Sequence, residues 1–203
     1  MSNVPDYLKP YHDAIAAHGG TFDATLWQSK EGQILRFKTF CMLADFTNST
    51  ILDVGCGIGD FSEYLTSANV AFGSFHGIDA MPEMIETAND RALPRSTFET
   101  VDIVHNTDAL VGYDWITFSG TLNAMDEDVA MALIETAFTR AAKGIACNFL
   151  SNQSGRNPKE EDLAPASRFD TIAWISKSLQ LSPKVQFTQS YLDGHDATIV
   201  INK

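Results

Sequence analysis

Residues Ile51-Leu52-Asp53-Val54-Gly55-Cys56-Gly57-Ile58-Gly59-Asp60 constrain this chain more than any other stretch. A β-branched, apolar run stops in three glycines at alternate positions, and the helix-compatible Phe61-Ser62-Glu63-Tyr64-Leu65 follows at once. This pattern predicts a strand, a tight turn and a helix, the unit that brings bare backbone close to a nucleotide-like ligand. A dinucleotide fingerprint places its third glycine at the sixth position of the turn. Here Asp60 stands at that position, and Asp53 precedes the first glycine by two residues. A carboxylate there repels a pyrophosphate but suits a ligand that carries an ammonium group and a hydroxylated sugar.

The rest of the chain reads as one unit built around that turn. A length of 203 residues suits one domain with a substantial core. Helices are predicted over Pro5 to His18, Lys30 to Phe46, 60–68, Pro82 to Arg91, Asp126 to Ala142 and Phe169 to Leu179. In the second of these, Ile34, Phe37, Cys41 and Ala44 recur at helical spacing and mark its apolar face. Strands are predicted over 51–54, Phe72 to Ile78, Thr97 to Val101, Trp115 to Phe118, Gly144 to Leu150, Val185 to Tyr191 and Ala197 to Ile201. The last two are joined through Asp193-Gly194, a hairpin signal. Residues 151–167, with Pro158 and Pro165, read as a loop. Strands alternating with helices specify an α/β fold with a mostly parallel, doubly wound sheet that ends in antiparallel strands.

Charge and cysteine content narrow the partners. Twenty-six acidic residues against 14 basic ones give a formal net charge of −12, and no Lys/Arg cluster occurs. Nucleic-acid binders draw much of their affinity from phosphate neutralisation, so DNA is disfavoured as a substrate. Cys41, Cys56 and Cys147 form no paired motif, which suits a reduced, cytoplasmic protein without a structural zinc site. No His or carboxylate pair has metal-ligand spacing, and no metal is expected. The start of the chain has no apolar run of a secretory leader, and no segment has the length of a membrane span.

With its D-x-G-x-G pattern, the segment from Asp53 to Gly57 closely resembles motif I of the class I S-adenosylmethionine-dependent methyltransferases. The resemblance extends from about residue 30 to the C-terminus. It implies a Rossmann-like sheet of seven strands, the last one antiparallel. The runs Trp27-Gln28-Ser29-Lys30, Gln33, Arg36-Phe37 and Cys147-Asn148-Phe149-Leu150-Ser151, with the final hairpin, look like a small bacterial-type subgroup of that superfamily.

The resemblance also implies site residues. Asp53, Gly55, Cys56 and Gly57 would meet the methionine part of S-adenosylmethionine, and Asp79 at the second strand end would take the ribose hydroxyls. Ala80 and Met81 would pack near the adenine, while Asp102 and Ile103 would meet its amino group and ring nitrogen. Ser119 and Gly120 would meet the cofactor through backbone groups beside the transfer site. Trp27 and Arg36 would belong to a lid formed by residues 1–46 over a core of 47–203, with Arg36 paired to the methionine carboxylate. The fourth strand ends in Ser119-Gly120-Thr121-Leu122, not in the Asn/Asp-Pro-Pro-Tyr/Phe box of many amide and base methylators. The leading expectation is methyl transfer to a small-molecule O or N acceptor. The alternatives are a protein or modified-RNA acceptor, or a cofactor-binding subunit without turnover. No catalytic base is singled out: Tyr113, Asn123, Asn148, Asn152 and His195 all lie near strand ends or turns. Oligomeric state is not readable.

Overall fold

The computed structural model describes residues 4–154 and 166–203. Seven strands form one sheet: β1 (Thr50–Val54), β2 (Ser74–Asp79), β3 (Ser96–Thr100), β4 (Trp115–Phe118), β5 (Gly144–Leu150), β6 (Val185–Thr188) and β7 (Asp196–Asn202). Their order is β3-β2-β1-β4-β5-β7-β6. β1 to β5 pair in parallel, and β7 runs antiparallel between β5 and β6. The expected fold class is therefore the observed one, a mostly parallel Rossmann-like sheet closed by antiparallel strands. Strand order reverses between β1 and β4, and a cleft opens at their carboxyl ends.

Two-residue periodicity assigns each strand residue to a face. Ile51, Trp115, Ala146 and Val200 face one aromatic-rich layer with Phe37, Phe40, Phe46, Phe61 and Phe75. That layer is covered by α2 (Lys30–Leu43) and α3 (Asp60–Ser67). Leu52, Ile116, Ile145, Ile199 and Ile201 face the other layer. It is filled by α5 (Glu127–Arg140) and α6 (Thr171–Leu181), through Met131, Ile134, Ala137 and Trp174. α4 (Pro82–Asp90) runs along β2 and β3, and α1 (Lys9–His18) packs on it through Leu8, Tyr11, Ala14, Met81 and Met84. Among the described residues, no helix is long and apolar enough to cross a membrane.

Several boundaries differ from the sequence reading, each for a local reason. α6 starts two residues late because the Asp170 side chain caps it, accepting from Ile172 N and Ala173 N at 3.0 and 3.1 Å. Phe169, read as helical, is instead buried beside Phe149 and Trp174. β6 stops at Thr188 because the Gln189 amide turns inward and donates to the carbonyls of Gln153 and Gly194, both at 3.1 Å. The link to β7 is a short 3-10 turn, with Leu192 and Asp193 at positive φ. Of the 151–167 loop, residues 155–165, including Pro158 and Pro165, lie outside the described residues.

The largest departure concerns the face of α2. Ile34 is 46% exposed and Met42 72%, while Gln33, Arg36, Phe37, Thr39 and Phe40 are buried. The helix is turned by a buried ion pair: Arg36 Nε and Nη2 reach the two carboxylate oxygens of Asp196 at 2.5 and 2.7 Å. Removing one member leaves an uncompensated buried charge, which costs about 3–5 kcal/mol. Asp196→Ala is accordingly expected to lower the urea unfolding free energy by about that amount. The double change Arg36→Met, Asp196→Leu is expected to recover most of it, both read from denaturation curves followed by circular dichroism.

Candidate active site

The cleft lies at the carboxyl ends of β1, β2, β3 and β4 and is partly open. Its floor is the glycine turn. Gly55 N and Cys56 N both donate to Ile78 O, at 2.8 and 3.0 Å, which folds the turn back on the end of β2. Gly55 takes a positive φ of 72°, and a Cβ there would run into the Thr121 side chain. Thr121 is itself fixed by donating to Val54 O at 2.7 Å. The wall beyond is Gly120, at φ 73°, where any side chain would strike the Trp27 indole.

Four carboxylates line the cleft: Asp53, Asp60, Asp79 and Asp102. Among the described residues, its wall contains no Lys, Arg or His. Asp53 is buried and accepts from Thr117 Oγ1 at 2.7 Å. Burial pushes its carboxyl up to about 7, the Thr117 hydrogen bond pulls against this, and the charge of Asp79 adds to it. Asp79 accepts from Gly57 N through one oxygen and from Met81 N through the other, both at 2.9 Å. Burial raises its pKa as well, against those backbone donors. Asp60 is held by Arg91 at 2.7 Å and by the Gln33 amide at 3.1 Å.

Asp102 accepts from Tyr7 Oη at 2.6 Å and from Val104 N at 3.1 Å. His105 Nδ1 lies 2.9 Å from the oxygen that Tyr7 reaches. Desolvation raises this carboxyl, but the bonds from Tyr7 and His105 win and its pKa falls below the ordinary value.

The structure brings Trp27, Asp53, Gly55, Cys56, Gly57, Asp79, Ala80, Met81, Asp102, Ile103, Ser119 and Gly120 together around this one cleft. Arg36 is the exception. It does not line the wall, because its guanidinium is spent on Asp196 and stacks on the Trp27 ring at 4.5 Å. An expected direct contact thus becomes support for a wall residue.

The scattered acid/base candidates also resolve. Asn148 accepts from Gly120 N at 2.9 Å and donates to Ser119 Oγ at 3.3 Å, so it shapes the turn after β4. Asn123 ties Leu150 N to Ser167 O. Asn152 accepts from Thr171 N at 3.2 Å, ahead of α6. His195 Nδ1 lies 2.8 Å from Asp196, and Tyr113 stacks on His76. None of these five lines the cleft.

Tyr7, Leu8 and Tyr11 do line it, and sequence reading passed over them. Two tyrosines four apart are a helix-face signal, but nothing in the sequence says which surface that face meets.

Chemically, the arrangement offers bare backbone beside several carboxylates, apolar walls from Trp27, Met81 and Met84, and no described cation. It matches a ligand that carries positive charge and hydroxyl or amino donors. Residues 51–144 match the family profile described as a methyltransferase domain. No curated protein sequence matches the chain significantly. Similar solved structures include magnesium protoporphyrin IX methyltransferase from Synechocystis PCC 6803 with bound SAM. It has 15% identity and a TM-score of 0.68, with 100% of each chain covered. Phosphoethanolamine N-methyltransferase 1 of Haemonchus contortus has 16% identity and a TM-score of 0.70, covering 97% of this chain and 48% of that one. The small RNA methyltransferase HEN1 has 14% identity and a TM-score of 0.67, covering 85% of this chain and 25% of that one.

The elevated Asp53 has a consequence for stability. In the fold its carboxyl keeps its proton to about 7, whereas its ordinary value is 3.8. Between those values the folded state binds more protons than the unfolded one, so stability falls as pH rises. The fall is at most about 1.4 kcal/mol per pH unit and ends above about pH 7. Asp53→Asn is expected to make this decline shallower, measured as urea unfolding free energies between pH 5 and 8.

Proposed function

We propose that this chain is a class I S-adenosylmethionine-dependent methyltransferase that transfers a methyl group to an O or N atom of a small-molecule acceptor, a reading supported by the methyltransferase-domain profile over residues 51–144. The observation that carries the reading is the cleft itself: a bare glycine turn flanked by Asp53, Asp79 and Asp102, each at or just beyond the end of a different parallel strand. The absence of Lys, Arg and His from the described wall weighs against a nucleic-acid backbone as acceptor.

In this reading Asp53 takes the cofactor's ammonium group and Asp79 its ribose hydroxyls. Asp79 keeps lone pairs for that role beyond the two backbone donors, since a carboxylate offers about four. Asp102 takes the adenine amino group, with Ile103 N at the ring and Ala80 and Met81 against its face. The backbone of Gly55, Cys56 and Gly57 lies along the methionine part. Its carboxylate meets backbone donors and the Gln33 amide, not Arg36.

When bound, the cofactor supplies a methyl group already activated by its sulfonium. The protein then has to align the acceptor in line and keep water out. Ser119, Gly120 and Thr121 fix the far wall, and Asn148 holds them in place. Trp27, Ala124 and Met125 exclude water around the acceptor. A base is required only for an acceptor that must lose a proton.

Isothermal calorimetry should show binding of S-adenosylmethionine and S-adenosylhomocysteine but not of NAD, weakened about tenfold or more (about 1.4 kcal/mol) in Asp79→Ala. Formation of S-adenosylhomocysteine should then follow with small hydroxy or amino compounds, and not with basic peptides or RNA. Absence of binding would remove the cofactor assignment, and turnover restricted to macromolecules would remove the small acceptor.

A further inference from the structure

The glycine turn runs into a carboxylate, Asp60, at the first position of α3. A dinucleotide fingerprint has glycine there. Asp60 lines a cleft that already holds Asp53, Asp79 and Asp102 and whose described wall contains no Lys, Arg or His. In the cofactor reading above, the methionine part of the ligand lies along this same turn. Its carboxylate and that of Asp60 would then meet as like charges over bare backbone.

Arg91, directly after the last residue of α4, answers that charge from behind the wall. It does not line the cleft. Its Nη1 donates to Asp60 at 2.7 Å and to Ile58 O, within the turn, at 2.6 Å. Its Nη2 reaches Glu63 at 2.6 Å. Three acceptors on one planar fork fix the guanidinium in a way that a lysine cannot reproduce. The Arg91 and Asp60 side chains are 21% and 13% exposed against 60% for Glu63, so solvent screens the pair with Asp60 least.

The other oxygen of Asp60 accepts from Gln33 Nε2 at 3.1 Å. An ionised carboxylate only accepts, so this contact decides which end of the Gln33 amide carries the nitrogen. That nitrogen has a second N–H beyond the one spent on Asp60. Gln33 is itself buried and lines the cleft. The three residues therefore form a chain that begins with a full positive charge outside the cleft and ends in a donor inside it.

We propose that Arg91 is a positioning residue through which the cleft recognises the carboxylate of its ligand. It cancels the charge of Asp60 and, through Asp60, presents the Gln33 N–H to that carboxylate. The site then favours a ligand with both an ammonium group and a carboxylate over one with the ammonium group alone, although the described wall holds no cation. This rests on the cofactor reading above.

The test sets S-adenosylmethionine against decarboxylated S-adenosylmethionine, which keeps the sulfonium, ammonium and adenosine groups and lacks only the carboxylate. Calorimetry with both is run on wild type, Arg91→Met, Gln33→Leu and the double variant. Wild type should bind the complete ligand more tightly. Arg91→Met should bind it about tenfold more weakly, yet bind the decarboxylated ligand at least as well as wild type does. Gln33→Leu should also lose affinity for the complete ligand alone, and the two losses should combine to less than their product. Should Arg91→Met fail to fold, Arg91→Lys decides by the same comparison: charge without the fork should give a smaller loss, still confined to the complete ligand. Equal weakening of both ligands by the Arg91 variants would make Arg91 a structural clamp and overturn the proposal. Unchanged affinity for both, or independent losses in the double variant, would overturn it too. Failure of wild type to bind S-adenosylmethionine at all would remove the cofactor reading, and this proposal with it.

Discussion

One carboxylate sets the shape of the cleft. Asp79 ends β2, yet its two oxygens accept from Gly57 N in the turn after β1 and from Met81 N at the start of α4. The strands are already paired, with Val54 against Ile78. Asp79 extends that pairing past the strand ends into segments that have no ladder of their own. Burying a charge is costly, and its raised pKa records the cost. The backbone amides offset it, and in return a glycine-rich turn with little intrinsic preference is held in one conformation.

A second buried carboxylate acts at the opposite wall by a longer route. Asp196 fixes Arg36, Arg36 lies against the face of Trp27, and Trp27 fills the space left by the missing side chain of Gly120. Each contact constrains the next, so a pair of charges that never enters the cleft still determines where the cleft stops. This explains why α2 carries polar Gln33 and Arg36 inward and leaves Ile34 and Met42 outside. Satisfying a buried guanidinium outweighs burying two aliphatic side chains, each of which contributes about 1.5–3 kcal/mol.

How much of this is legible in the chain follows from sequence distance. The glycine turn, the strand-end residues Asp53, Asp79 and Asp102 and the alternation of helix and strand are local patterns, and the structure brings those residues to one cleft. The start of α6 carried a local signal, since Asp170 is an N-cap residue by type, but the sequence reading set the helix two residues early, at Phe169. What escaped is what depends on distant partners. The face of α2 is decided by a residue 160 positions away, and the bond of Tyr7 to Asp102 spans 95. No periodicity within either helix encodes those choices. β6 ends early for the same reason, because Gln189 finds carbonyls at Gln153 and Gly194.

The placement of β7 between β5 and β6 matters during synthesis as well as in the finished fold. At about 5–20 residues per second, a ribosome adds Asp196 on the order of 10 s after Arg36. Throughout that interval the guanidinium has no counter-charge to receive it, and α2 has reason to stay hydrated and loosely docked. β6 also emerges before the strand that will pair with it on its inner side. The nascent chain must therefore leave the aromatic layer under α2 unfinished until a single strand enters the gap, neutralises the arginine and closes the sheet in one late event.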